Sequence, residues 1–484
     1  MAAHLAVPDL TADERLHVLR DGPPAAEGPV LYWCQQAQRA DDNPALEHAL
    51  ALASRWRRPL VVLVVLDPQE PGLTVRNATF ALQGLRDMRD DLRERGIALT
   101  VRLGAGVEVA AAAARSAAAL VCDRGYLRFG REQRDRVAAG APCPVVVVEG
   151  EAIVPVEAVS DKAEYAARTI RPKLWRSLER FRALPARVRV SLPSGAPGQL
   201  AGPHPDLSEE LDDVEALLRR LRPDPAAGSV SDWFVGGRRA AEAALERFAR
   251  VALPDYATGR NQPQRDTVSH LGMYLRFGHV SPLRVLDTVT RRGEDLGAGR
   301  EAIDAFVEEL LVRRELAINH AWYVPDYDRY ASLPAWARTT LALHADDPRE
   351  ARYDRATLEA GATADPYWNA AMREMRETGY MHNYMRMYWG KRILAWSPDP
   401  EAAFDLTRTL NDRYFLDGRD PNSYAGVAWV YGRHDRPWPE RAVFGTVRSM
   451  VAAGLERKGD PRAYVAKVAR RVAARRALDD DPSA

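Results

Sequence analysis

The sequence predicts an α/β domain built on a doubly wound parallel sheet, followed by an all-α domain. Three features of the chain lead there. Short apolar, strand-like runs alternate with helix-period segments up to about residue 184. A proline-rich stretch then breaks the pattern over residues 185–230, and from residue 231 to 484 helical periodicity continues without β-branched runs. Residues 1–29 precede the first run and read as an N-terminal extension, so the α/β domain is expected over 30–184, a linker over 185–230 and the helical domain over 231–484.

Taken in order, the strands are expected over 30–34, 60–67, 97–103, 118–123 and 145–149, each a short apolar run between polar or glycine-containing turns. Between the second and third, residues 74–95 repeat apolar side chains at helical spacing. Such alternation implies parallel strands joined by crossover helices. Gly104-Ala105-Gly106 follows a strand but lacks the third glycine and the downstream acid of a dinucleotide fingerprint, so it reads as a turn. Within the linker, 209–221 reads as one short helix. Beyond it, 238–250, 302–319, 368–377 and 381–396 read as helices, and no internal repeat is visible.

Composition narrows the function. A net charge of +1 does not by itself point to a polyanion, but residues 431–476 hold twelve Lys/Arg against four Asp/Glu. A solvated helix face can carry such an excess. Here Trp429, Tyr431 and Trp438 interleave with Arg433, His434 and Arg436, a mixture that suits an unstacked base beside a phosphate backbone. Cys34, Cys122 and Cys143 are widely spaced, which fits a reducing compartment and neither a disulfide framework nor a metal site. No apolar run reaches membrane-spanning length and the start lacks the pattern of a secretory signal, so the cytoplasm is the expected location.

Two segments are dense in chemistry. Residues 380–396, YMHNYMRMYWGKRILAW, place Trp389 and Trp396 seven apart, on one helix face and about 10.5 Å apart along its axis. Alone, such a pair reads as two core residues. Residues 411–441, NDRYFLDGRDPNSYAGVAWVYGRHDRPWPER, crowd acids, amides and arginines among turn signals, and loops of that kind usually hold something. Together with YWCQQAQRADDNPAL (32–46), RNQPQRDTVSHLGMYLRFGHVSP (260–282) and FVEELLVRRELAINH (306–320), they closely resemble the class II cyclobutane pyrimidine dimer photolyases of the photolyase/cryptochrome family. The matching segments run in the family's order from about residue 30 to 450.

The resemblance implies that the helical domain binds FAD, folded into a U. The diphosphate loop matches Val268, Ser269, His270, Leu271 and Gly272, preceded by Tyr256; a serine hydroxyl and backbone N–H groups leading into a helix suit an anion. Gly272 stands where the family commonly has serine. Arg386 and Asp417 match an ion pair at the isoalloxazine, for which a surface salt bridge is the plain alternative. Asn411 matches the amide facing flavin N5, where it tunes the cofactor. Trp389, Trp368 and Trp396 match the electron path, in that order outward from the flavin.

For the substrate, Arg260, Asn261, Glu309, Met387 and Trp429 match residues around the pocket that receives the extruded dimer, with Glu309 the group facing thymine carbonyls. Arg313 stands where some relatives have an aromatic, and Arg433, Arg436 and Arg441 complete the basic DNA face. The implied activity is light-driven repair of cyclobutane pyrimidine dimers in UV-damaged DNA, by electron transfer from excited reduced FAD, in a monomer with no obligate protein partner. A cryptochrome-like photosensor would keep the tryptophans but tend to lose the lesion contacts, and Glu309 and Trp429 favour repair. A second, antenna chromophore of deazaflavin type stays open, because no residue of the first domain decides it.

Overall fold

Six strands make one sheet: β1 (Leu16–Arg20), β2 (Val30–Trp33), β3 (Leu60–Leu66), β4 (Ala98–Leu103), β5 (Ala119–Asp123) and β6 (Val145–Val148), in the spatial order β1-β6-β5-β2-β3-β4. They belong to a computed structural model that describes residues 13–25, 27–190, 192 and 200–479, with side chains to residue 474. β2 to β6 are all parallel, whereas β1 runs antiparallel to β6. The sheet is therefore mixed, and the segment expected as an extension supplies its edge strand. Only Leu16 of that strand is buried, so no apolar alternation marks it in the sequence. Its polar His17 and Arg20 suit an edge, which must not recruit another strand.

The parallel strands are buried on both faces, as crossovers require. The Pro44–Trp56 and Val75–Glu94 helices cover one face, and the Gly106–Ala114 and Arg128–Gly140 helices the other. Their starts are locally encoded: Asn43 accepts from Ala45 N and Leu46 N, and Thr74 forms a capping box with Asn77. From central β2 the chain moves outward to β3 and β4, then returns to lay β5 and β6 on the other side. That reversal opens a crevice at the carboxyl ends of β2 and β5.

Much of the region expected as a linker packs against this domain, while Ala227 and Val230 at its end are buried in the cores of the helical part. Leu207, Leu211, Leu217, Leu218 and Leu221 are buried with the Val75–Glu94 helix. The single helix expected over 209–221 divides into a 3-10 turn, Glu209–Asp212, and a helix, Val214–Leu221, because the Asp213 side chain accepts from Ala216 N and starts a new helix. Positions 191 and 193–199 of the proline-rich stretch lie outside the described residues. The Ala167–Phe181 helix, expected to belong to the α/β domain, packs with the helical part: Ile170, Leu174, Leu178 and Phe181 are buried with Leu283, Phe306 and Leu310.

The helical part has two cores, one around Phe248, Phe306 and Leu310, the other around Trp368, Trp389, Trp396 and Phe404. The helix expected over 302–319 is interrupted. It runs as Arg300–Val307, passes through a six-residue π-helix, Glu308–Arg313, and resumes as Arg314–Tyr323. A second π-helix, Phe248–Ala252, ends the helix that starts at Arg238. Ion pairs and hydrogen bonds tie the parts together, among them Arg284 to Asp42 (2.7 and 2.9 Å) and Arg76 to the carbonyls of Met375 and Arg376. Among the described residues, no helix is long and apolar enough to cross a membrane.

Candidate active site

The loop from Asp266 to Gly272 is held from below. Asp266 pairs with His270 (3.6 Å), and with Lys467 (3.4 Å) and Arg471 (2.8 Å) of the Pro461–Asp479 helix. His270 first, then the two cations, hold its carboxyl well below the usual carboxylate range. His270 takes a left-handed φ of 54°, and Ser269 Oγ accepts from Leu271 N at 3.3 Å, so the loop turns sharply into the next helix. Tyr256 is buried against Phe248 and Phe306. The turn that carries it approaches the loop so closely that a Cβ on Gly259 would fall 2.2 Å from Thr267 Oγ1.

Across from the loop, Arg386 Nη2 meets Asp417 Oδ1 at 3.0 Å and Oδ2 at 3.3 Å, and its guanidinium lies 3.8 Å over the Phe415 ring. Asp417 also explains the glycine at 272. A Cβ there would stand 3.1 Å from Asp417 Oδ2, so Gly272 lets the carboxylate come against the loop. Asn411 is 1% exposed, and its Nδ2 donates to Ser423 Oγ (2.5 Å) and Asp412 Oδ1 (3.1 Å). Only its carbonyl oxygen is left to offer.

These residues fit a flavin dinucleotide. Arg386 Nε, Thr267 Oγ1, Gln264 Oε1 and His270 Nδ1 are buried with no hydrogen-bond partner among the described residues, all in or beside the loop and the ion pair. Buried polar atoms left unpaired are costly, and although such atoms occur elsewhere in the described residues, these four lie where a polar ligand at the loop and the ion pair would satisfy them. Phosphate oxygens and a heterocycle with both donors and acceptors would answer them.

The three tryptophans form one buried row. Trp368 Nε1 donates to the Trp389 carbonyl (3.0 Å), and the Trp368 and Trp396 ring centroids are 5.3 Å apart. All three are at most 2% exposed. Trp389 reaches Phe415, the ring beneath Arg386, at 6.3 Å, so this end of the row adjoins the Arg386–Asp417 pair. At the other end Trp396 touches half-buried Tyr353 at 4.9 Å, with the Arg392 guanidinium 4.6 Å over its ring. Phe415 and Tyr353 were not singled out in the sequence. Phe415 lies two positions before Asp417, a signal that was there to use, whereas Tyr353 sits in a separate stretch with no motif.

The expected substrate residues separate into groups. Glu309 lies in the π-helix and pairs with Arg260 at 2.7 Å; both are part-exposed. Asn261 is exposed beside Arg260, and Met387 and Trp429 are half-buried. Arg313 turns to Glu308 (3.3 Å), which also holds Arg171 (2.7 Å), so Glu309 is left to Arg260 alone. Arg436 and Arg441 are exposed. Arg433 is half-buried and donates to the Ser332 carbonyl at 3.0 Å, a structural contact that takes it from the basic face. Tyr431 and His434 also leave that face: Tyr431 is fully buried on Thr407, and His434 binds the Tyr165 carbonyl.

A separate cleft of about 470 Å³ opens at the switch point of the sheet. Gln35, Gln36, Arg128 and Phe129 line it from the strand ends, and Tyr327 and Tyr424 from the helical part. Asp123 shapes its floor by accepting the backbone N–H groups of Gln35 (2.8 Å), Gln36 (2.8 Å) and Ala37 (2.6 Å).

Comparison with known proteins identifies the family of the chain. The family model described as DNA photolyase matches residues 30–193. A deoxyribodipyrimidine photo-lyase of Methanothermobacter thermautotrophicus is 41% identical over 456 residues, covering 94% of this chain and 98% of that protein. One of Oryza sativa subsp. japonica is 38% identical over 470 residues, covering 94% and 90%. The crystal structure of a class III photolyase from Agrobacterium tumefaciens shares the fold, with a TM-score of 0.64 at 20% identity over 86% of this chain and 82% of that one. The chain thus belongs to the photolyase/cryptochrome family, as an enzyme of DNA photorepair of the deoxyribodipyrimidine photo-lyase kind.

Proposed function

We propose that the protein repairs cyclobutane pyrimidine dimers in UV-damaged DNA with light, using FAD held in the helical domain. When bound and reduced, FAD supplies the light-excited electron that opens the cyclobutane ring and is then returned. One arrangement carries the reading: the Arg386–Asp417 pair, set among orphaned polar atoms, joined to a buried tryptophan row and accompanied by the Arg260–Glu309 pair.

The chain's own residues then have separable tasks. Arg386 and Asp417 orient the ring system, and Phe415 beneath the guanidinium keeps water from it. With its Nδ2 already donating to Ser423 and Asp412, Asn411 would offer its carbonyl oxygen to a donor such as N5–H of a bound reduced flavin, which would favour that state. Trp389, Trp368 and Trp396 carry electrons inward through a dry core when the cofactor is oxidised. Glu309, aimed by Arg260, hydrogen-bonds the thymine edges, and Trp429 stacks on the splayed bases. A lesion is already poorly stacked, so extruding it costs less than flipping a sound pair.

The reading also includes an antenna chromophore of deazaflavin type in the switch-point cleft, and a monomeric enzyme acting in the cytoplasm. The cleft's volume and mixed polar and aromatic lining support the first of these.

The test is purified protein assayed for bound flavin and for repair of a thymine-dimer oligonucleotide under blue light. About one FAD per chain, and repair that fails in the dark, are expected. In the same assay with pre-reduced enzyme, Glu309→Ala is expected to keep flavin and lower the yield per photon. Colourless protein that FAD cannot reconstitute would sink the reading, and an unchanged Glu309→Ala yield with a lowered melting temperature would make Glu309 structural.

A further inference from the structure

The Asn383–Trp396 helix carries a lysine with no exposed surface. Lys391 is 0% exposed and sits two residues beyond Trp389 and one turn beyond Met387, yet none of the tasks above uses it. Its Nζ donates to the carbonyl of Val430, the last residue of the Pro421–Val430 helix, and lies 5.4 Å from the centroid of the Trp429 ring. A helix C-terminus presents open carbonyls and partial negative charge, so an ammonium there satisfies and anchors that end. The two helices meet without slack, since a Cβ on Gly390 would come within 2.9 Å of Val430 Cγ2.

A buried ammonium is an expensive way to fill space; an unbranched apolar side chain such as methionine would fit without the desolvation cost. Burial brings the Lys391 pKa down to about 7, with the Arg448 cation adding to the effect and Asp435 opposing it. Arg448 is itself placed over the Trp429 ring at 5.6 Å and over Trp438 at 4.9 Å. The Trp429 end of its helix is therefore fixed by two cations, one of them inside the protein.

We propose that Lys391 is a positioning residue of the lesion site, which by holding the Val430 carbonyl sets the place of the ring on which the extruded dimer stacks. The inference rests on the reading of Trp429 as a lesion contact. It adds a pH dependence to dimer recognition. The groups facing the amine are the Val430 carbonyl, the Trp429 ring, Asp435 and Arg448. Below neutral pH the charged form anchors the helix end, and above it the neutral amine anchors it less firmly.

The experiment measures dark binding of FAD-loaded protein to a thymine-dimer duplex and to the same duplex undamaged, from pH 6 to 8.5. Lys391→Met is expected to weaken dimer binding at pH 6 by roughly fivefold, the size of a cation's effect at a helix C-terminus. Flavin content and binding to undamaged duplex should not change. Wild-type dimer affinity should fall as pH rises through about 7, and the Lys391→Met profile should be flat. Lys391→Arg should restore the acid-side affinity and keep it to pH 8.5, because guanidinium does not titrate there. If Trp429→Ala weakens dimer binding while Lys391→Met has wild-type affinity and pH profile, the role of Lys391 is overturned and the lesion site stands. If Trp429→Ala also binds the dimer normally, the assignment of Trp429 falls and that of Lys391 with it.

Discussion

At the scale of single residues, the site depends on side chains whose partners are few and buried. Asp417 is the counter-charge of Arg386, whose Nε is already unpaired, so removing the carboxylate leaves a half-buried cation with neither protein partner. Asp417→Asn should weaken FAD retention by roughly tenfold, the scale of one lost hydrogen bond to a charged group. Equilibrium dialysis with fluorescence of released flavin measures it, and unchanged retention would remove the pair from the flavin site. The tryptophans act differently. Phenylalanine at 368 keeps a ring but loses both the easily oxidised indole and the N–H that bonds the Trp389 carbonyl. Trp368→Phe and Trp389→Phe should slow light-driven reduction of oxidised flavin, yet leave repair by chemically pre-reduced enzyme intact. Normal photoreduction in both variants would show that electrons enter by another route.

At the scale of elements, two pieces of backbone place the chemistry, and they differ in how legible they are in the sequence. The Pro461–Asp479 helix reaches back through Lys467 and Arg471 to Asp266 and so steadies the loop expected to hold the diphosphate. Arg471→Ala should loosen that loop, with flavin lost several-fold faster on dilution while secondary structure by circular dichroism stays unchanged; equal loss rates would show that the helix is only packing there. The loop is a candidate from the sequence because residues 260–282 resemble the family there, although Gly272 departs from it, but the clamp joins residues about 200 apart and no local pattern encodes it. The π-helix at Glu308–Arg313 is hidden for another reason. Its apolar residues Leu310, Leu311 and Val312 are buried like those of the flanking helices, so the wider turn that carries Glu309, the partner of Arg260, leaves no mark on composition. The basic C-terminal stretch is only partly legible: Arg436 and Arg441 are exposed as charge and aromatic spacing suggest, whereas Tyr431 is buried and the half-buried Arg433 and His434 bind backbone carbonyls. Lys391 carries no sequence signal because a lysine in a helical segment reads as solvated unless the partner helix is known.

At the scale of the whole molecule, the two parts act as one body only if their seam holds, and one acid in that seam should make stability depend on pH. Glu315 lies in the Arg314–Tyr323 helix, directly after the π-helix that carries Glu309, and is 3% exposed. Its carboxyl accepts the backbone N–H groups of Ile153 and Val154, in the loop that follows β6. Burial pushes its pKa up to about 8, with Glu149 adding to the effect and Arg314 and the two N–H groups opposing it. An unfolded glutamate titrates near ~4.3. Between these values the folded protein holds a proton that the unfolded chain has released. The stability contributed is therefore complete below about pH 4.3 and is lost as pH rises through about 8. The loss is at most about 1.4 kcal/mol for each pH unit in that window. For a chain of this size it corresponds to a fall of about 1–2 °C in melting temperature per pH unit. Glu315→Gln keeps an oxygen for Ile153 N and Val154 N but cannot ionise, so its melting temperature should decline less steeply across the same range. The two curves should meet below about pH 4.3, where Glu315 is protonated in the folded and the unfolded chain alike, and separate towards pH 8 with the variant the more stable. Parallel curves across the whole range would mean that the seam holds Glu315 ionised, with Arg314 as its effective partner.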